Sequence, residues 1–148
     1  MSEHKDNAFA NYIAKLQDGK PSDMIQFFDR KSYYSVYGED AIFIAKEYNK
    51  TTATLKHIGS EKLPCQHIQS VQLREKILPD LLTTKLYKVE FYTAKPNTSL
   101  FYRYKKASPG NIQEVEDLLT GEDGLGDESH SQSLAVHLGL RMVTKWSE

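Results

Sequence analysis

The chain has 148 residues, 39% of them hydrophobic and 26% charged, enough to bury roughly two-thirds of its unfolded surface around one core and too few to support two. Nineteen basic against twenty acidic residues leave a net charge of −1, which excludes the strongly basic class of domain that holds nucleic acid unaided. No apolar run approaches the roughly 20 residues that span a bilayer, the stretch Met1 to Lys20 is polar and mixed in charge, unlike a secretory leader, and a lone cysteine, Cys65, cannot form an internal disulfide, so the chain reads as intracellular and membrane-free.

Asn7 is placed to cap a first helix in which Phe9, Tyr12, Ile13 and Leu16 recur at helical spacing, with Gly19 and Pro21 as the stop. Met24 to Phe28 and Tyr33 to Tyr37 are aromatic and β-branched and flank a charged turn, which predicts a hairpin. Gly38-Glu39-Asp40 brings acids to the start of a second helix through Ala41 to Ala45, ending near Tyr48. Ala53 to Ile58 and His67 to Leu73 alternate as strands around a loop at Gly59, Ser60 and Pro64. In Arg74 to Lys85 the proline at position 79 favours a regular helix that begins at Leu78 or Pro79, because proline inside a helix costs about 3 kcal/mol. Leu86 to Tyr92 and Leu100 to Lys105 form a second hairpin about Lys95-Pro96-Asn97. Asn111 with Glu114 resembles a capping box for a helix from Ile112 to Thr120, closed by Gly121. The acidic stretch Gly121 to Gln132 reads as a solvated loop, and Leu134 to Val143 as a last strand. This order is no strict βαβ repeat, and it favours an α/β (α+β) fold, a mixed sheet surrounded by three to four helices.

Raw material for catalysis is thin. There is no phosphate-binding loop, and the glycines at 121, 124 and 126 are interleaved with acids. No two of His4, His57, His67, His130 and His137 share the spacing of a zinc protease motif, and Cys65 has no catalytic neighbours. The sequons at Asn49 and Asn97 are chance matches in a chain that is not secreted. More informative are Tyr33, Tyr34 and Tyr37 around the basic turn: aromatics beside Arg and Lys stack on bases while the cations hold phosphates, although strands also select aromatics for packing alone.

The segment Phe27-Phe28-Asp29-Arg30-Lys31-Ser32-Tyr33-Tyr34-Ser35-Val36-Tyr37-Gly38-Glu39-Asp40-Ala41 resembles the MutS family of DNA mismatch-repair proteins around its Phe-x-Glu reading motif, and most of all the family's homologue-two branch in eukaryotes. Leu86 to Tyr92, and Tyr104 to Asn111 with Glu116 to Leu119, resemble a later strand and the Ser-Pro-Gly-Asn turn and helix of the same branch, so the likeness runs collinearly from Asp23 to Thr120. It implies an N-terminal mismatch-recognition domain (domain I) over residues 23–148, preceded by a helical segment over 1–22, at the front of a longer nuclear protein. The connector, lever, clamp and ATPase domains of such a protein are not in this sequence, so ATP and Mg belong to the full-length family protein and this chain is not itself an enzyme. In the reading members a phenylalanine wedges beside the mispaired base and a glutamate hydrogen-bonds it. Here Tyr33 falls at the phenylalanine and Ser35 at the glutamate, and serine cannot replace a carboxylate that reaches a base edge. The resemblance therefore implies the non-reading subunit of a heterodimer on mismatched duplex DNA, with Arg30, Lys31, Ser32, Tyr33, Tyr34, Ser35 and Lys50 as DNA-binding residues. The alternative is a docking module of the same repair protein that touches DNA little.

Overall fold

A computed structural model describes residues 2–121. The acidic loop after Gly121 and the strand expected at Leu134 to Val143 lie outside the described residues. Six strands form one mixed sheet: β1 (Met24–Asp29), β2 (Tyr34–Tyr37), β3 (Lys56–Ile58), β4 (Leu63–Ile68), β5 (Lys88–Ala94) and β6 (Phe101–Ala107). Their spatial order is β3-β4-β2-β1-β5-β6, with β1 and β5 parallel and every other pair antiparallel. Four helices accompany it among the described residues: α1 (Ser2–Leu16), α2 (residues 39–49), α3 (residues 70–84) and α4 (Glu116–Thr120), the last preceded by a tighter turn at Gln113–Val115. The expected mixed sheet with surrounding helices is the observed architecture.

Strand alternation distributes the apolar residues to two faces. Ile25 and Phe27, Tyr34 and Val36, Ile68, and Val89 and Phe91 point to one face, where they pack beneath Ala41 and Ile44 of α2, Leu73, Ile77, Leu78 and Leu81 of α3, and Leu119 of α4. Phe28, Tyr37 and Cys65 point to the other, under Phe9, Tyr12, Ile13 and Leu16 of α1. The helical spacing read from the sequence is therefore the buried stripe of α1. The helix starts at Ser2 rather than at Asn7, whose Oδ1 instead accepts from the Ser60 amide at 2.7 Å and so ties α1 to the β3–β4 turn.

Two prolines misdirect the local reading. Pro64 marks a loop by local rules but lies inside β4, and the strand expected from His67 to Leu73 is displaced toward the N-terminus. Its missing N–H costs little: the neighbouring Gly38 carbonyl is already taken by the amides of Ala41 and Ile42 at the start of α2, while Pro64 still accepts from the Gly38 amide at 2.9 Å. Pro79 lies in the interior of α3, which begins at Ser70. Wide turns at Leu73–Ile77 and Asp80–Thr84 flank it, in which the Leu78 amide reaches back five residues to Leu73 O and the Lys85 amide to Asp80 O. These looser registers absorb the break in the ladder that proline imposes. The helix closes with Leu86 in the left-handed region at φ 61, while the Tyr87 amide donates to Leu81 O at 2.7 Å.

The expected capping box at Asn111 and Glu114 does not form. Asn111 pairs with Ser108, and Glu114 Oε1 accepts from the Lys106 amide on the outer edge of β6 at 2.9 Å. Further along that edge the Tyr12 hydroxyl of α1 accepts from the Phe101 amide at 2.7 Å and donates to its carbonyl at 3.3 Å. The outer edge of β6 is thus occupied at both ends by side chains.

Candidate nucleic-acid interface

The β1–β2 hairpin presents its turn at one end of the sheet. Arg30 N donates to Tyr33 O at 2.9 Å, Ser32 N to Arg30 O at 3.0 Å, and Lys31 N to the Asp29 carboxylate at 2.8 Å. These bonds hold Lys31 in the left-handed region at φ 77. The other oxygen of Asp29 accepts from the Tyr104 hydroxyl at 2.9 Å, where a bulge in β6 sets Tyr104 as the extra residue. The turn is therefore anchored on its carboxylate side.

The seven sequence-derived residues separate into three groups. Lys31 and Ser32 are exposed at the tip and Tyr33 is half-exposed beside them. Tyr34 and Ser35 are buried, at 7% and 0% exposure, on opposite faces of β2. Tyr34 packs edge-on against Phe91. Ser35 sits between Phe28 and His67 in the register, and its Oγ donates to the Tyr37 hydroxyl at 2.8 Å. Arg30 also donates to that hydroxyl, at 2.9 Å, and spreads its guanidinium over the rings of Phe9 and Phe101 at 6.0 and 5.5 Å. It tethers the turn to α1 and the second hairpin. Burial pushes the Tyr37 phenol above its ordinary range, against the pull of Ser35 and Arg30, so this hydroxyl stays protonated. Lys50 ends α2 at φ 61 and is exposed, but it borders a cleft of about 320 Å³ with Tyr48, Lys76, Asp80 and Lys85 in the helical layer, apart from the turn.

Two neighbours of the turn escape the sequence reading. The Tyr33 ring lies against His67, with centroids 4.5 Å apart, and Lys56 of β3 stands on the same face of the sheet, opposite Cys65. His67 and Lys56 are both exposed. Burial, then Lys56, then Arg30 lower the His67 pKa from its ordinary value. The alternation of β4 carries the signal that His67 shares a face with Cys65, but its place beside Tyr33 requires knowing that β4 pairs with β2. Cys65 itself packs in the core, and burial pushes its thiol up to about 11, which leaves no thiolate for chemistry.

Among the described residues no three His, Cys, Asp or Glu come together as a metal site, and no helix is long and apolar enough to cross a membrane.

A six-stranded mixed sheet with helices around it and an aromatic, cationic hairpin turn at its end defines an α+β domain. Residues 8–116 match the family model of MutS domain I, and the chain belongs to the MutS family as a domain I. It is 37% identical to the DNA mismatch repair protein MSH2 of Arabidopsis thaliana over 105 residues, which cover 70% of this chain and 11% of that protein. It is 31% identical over 147 residues to Msh2 of Dictyostelium discoideum, covering 78% and 16%, and 32% identical over 108 residues to MSH2 of Saccharomyces cerevisiae, covering 68% and 11%. The chain thus spans between 11% and 16% of the length of these relatives.

Proposed function

We propose that this chain is the N-terminal DNA-contacting domain of a nuclear mismatch-repair protein, the non-reading member of a heterodimer that clamps mismatched duplex DNA. A second MutS-type subunit supplies the wedge, and ATP hydrolysis belongs to other domains of the full-length protein. Lys31, Ser32 and the rim of Tyr33 approach the sugar-phosphate backbone. Arg30, Tyr34 and Ser35 keep the turn in shape from below, and Lys50 is a separate, weaker contact.

The observation that carries the reading is Ser35. At the place where reading members carry a glutamate, this chain has a side chain with no exposed surface whose hydroxyl is already committed to Tyr37. Such a residue cannot hydrogen-bond a base edge. The near-zero net charge supports weak, partner-dependent binding, because counterion release scales with the number of cations that reach phosphates. The test is fluorescence anisotropy of the chain with a G·T-mismatched and a matched duplex at low salt. Weak and equal binding is expected, and a clear preference for the mismatch rejects the non-reading role. Charge reversal at Lys31 should weaken both complexes alike; unchanged affinity would favour the docking role instead.

A further inference from the structure

On the face of the sheet beside the turn, Tyr33, His67 and Lys56 come from three different segments, with His67 and Lys56 exposed and Tyr33 half-exposed. The aromatic ring of Tyr33 covers one side of the imidazole, while Lys56 from the neighbouring edge strand and Arg30 from the turn supply the positive charges that act on it. The same face also carries the Tyr33 phenol, the buried Cys65 thiol two residues away along β4, and the buried Tyr37 phenol bonded to Ser35, the register partner of His67; none of these is a carboxylate. An imidazole among cations resists protonation until an anion joins the group. A phosphodiester is the anion that a duplex would bring there, because the exposed tip Lys31–Ser32 is contiguous with Tyr33 and a backbone strand laid on the tip continues over this face.

We propose that His67 and Lys56 together receive a DNA phosphate beside the Tyr33 ring, and that His67 takes up a proton as the phosphate arrives. DNA binding by this chain then tightens as the pH falls through the histidine range. This inference rests on the DNA-contacting role proposed above and adds two contact residues and a proton to it. Lys56 donates to the phosphate at every pH. His67 adds a positive charge and a second N–H donor only when protonated, and the bound phosphate offsets the burial and the repulsion from Lys56 and Arg30 that oppose its protonation.

The experiment measures affinity of the whole chain for a short matched duplex at low salt between about pH 8 and about pH 6, for the wild type, His67→Gln, His67→Lys and Lys56→Ala. One linked proton changes affinity by at most about tenfold per pH unit, and a several-fold tightening of the wild type is expected. H67Q should lose that pH dependence, H67K should bind tightly at both ends of the range, and K56A should be weaker throughout while keeping the slope. Both positions are exposed, and circular dichroism of each variant checks that the fold is intact. A slope in H67Q equal to that of the wild type overturns the inference, as does binding by the wild type that does not change with pH; both outcomes leave the DNA-contacting role standing. Absence of binding by every variant at every pH overturns both.

Discussion

Replacing Ser35 by glutamate tests the non-reading role proposed for this position, and the burial of the position sets its cost. Position 35 has no exposed surface and is flanked by Phe28 and His67, so the longer side chain overpacks the site at a cost of about 1–3 kcal/mol. The carboxylate must also leave water, which costs several kcal/mol more, partly offset by the Arg30 guanidinium that already donates to Tyr37. A net loss of about 4 kcal/mol is a large part of the roughly 5–15 kcal/mol that holds a domain together. With a urea dependence of about 2 kcal/mol per molar, the unfolding midpoint falls by about 2 M. Ser35→Ala, which removes only the bond to Tyr37, should lower it by about 0.5 M, from a loss of about 1 kcal/mol. Urea unfolding followed by circular dichroism reads both, and anisotropy reads DNA binding. If S35E unfolds at the wild-type midpoint and also acquires preference for a G·T mismatch, position 35 reaches solvent and the argument from its burial is wrong.

Leu86→Gly should stabilise the chain by about 0.5–1 kcal/mol. The residue closes α3 at φ 61 with its side chain 60% exposed, so relief of left-handed strain outweighs the entropy glycine adds to the unfolded state; a lower melting temperature than wild type would contradict this. Asp40 is 3% exposed, receives the Gln26 amide at 3.0 Å and pairs with Lys20 at 3.0 Å. Asp40→Ala strands both partners and should cost about 3–5 kcal/mol, whereas Asp40→Asn keeps an acceptor for the amide and should cost about 1 kcal/mol near neutral pH, both read from urea midpoints. Burial outweighs Gln26 and Lys20 and raises the Asp40 pKa above its ordinary 3.8. The folded state therefore binds this proton more tightly than the unfolded state. The stability it contributes is full below the ordinary value and is lost as the pH climbs through the raised one. The gap between wild type and D40N should then be wider at acid pH than at neutral pH, and a gap that narrows on acidification would refute the assignment.

Much of the fold is legible where local pattern and tertiary demand agree. The aromatic and β-branched runs Met24 to Phe28 and Tyr33 to Tyr37 read as strands because each is buried on both faces by different layers, and the stripe Phe9, Tyr12, Ile13, Leu16 is real because one side of α1 meets the sheet. Legibility fails where a missing N–H is excused by its surroundings. Pro64 and Pro79 break strand and helix by local rules, but a carbonyl already spent on α2 and wide turns in α3 remove the penalty. The basic turn is equally plain in the sequence, because charge between two aromatic strands has no core to enter. The burial of Ser35 and the company of His67 and Lys56 are hidden, since both depend on β4 crossing back to lie beside β2.

The outer edge of β6 carries a consequence for how the chain must be handled as it is made. Its two plugs come from Glu114, only a few residues downstream, and from Tyr12, which is 89 residues upstream of the strand end it covers. The near plug arrives with the hairpin itself, but the far one waits for the first helix to dock on the finished sheet. Until then a row of open amides and carbonyls invites a stranger's strand, so a version shortened at its N-terminus should clump during refolding even though every strand of the sheet remains.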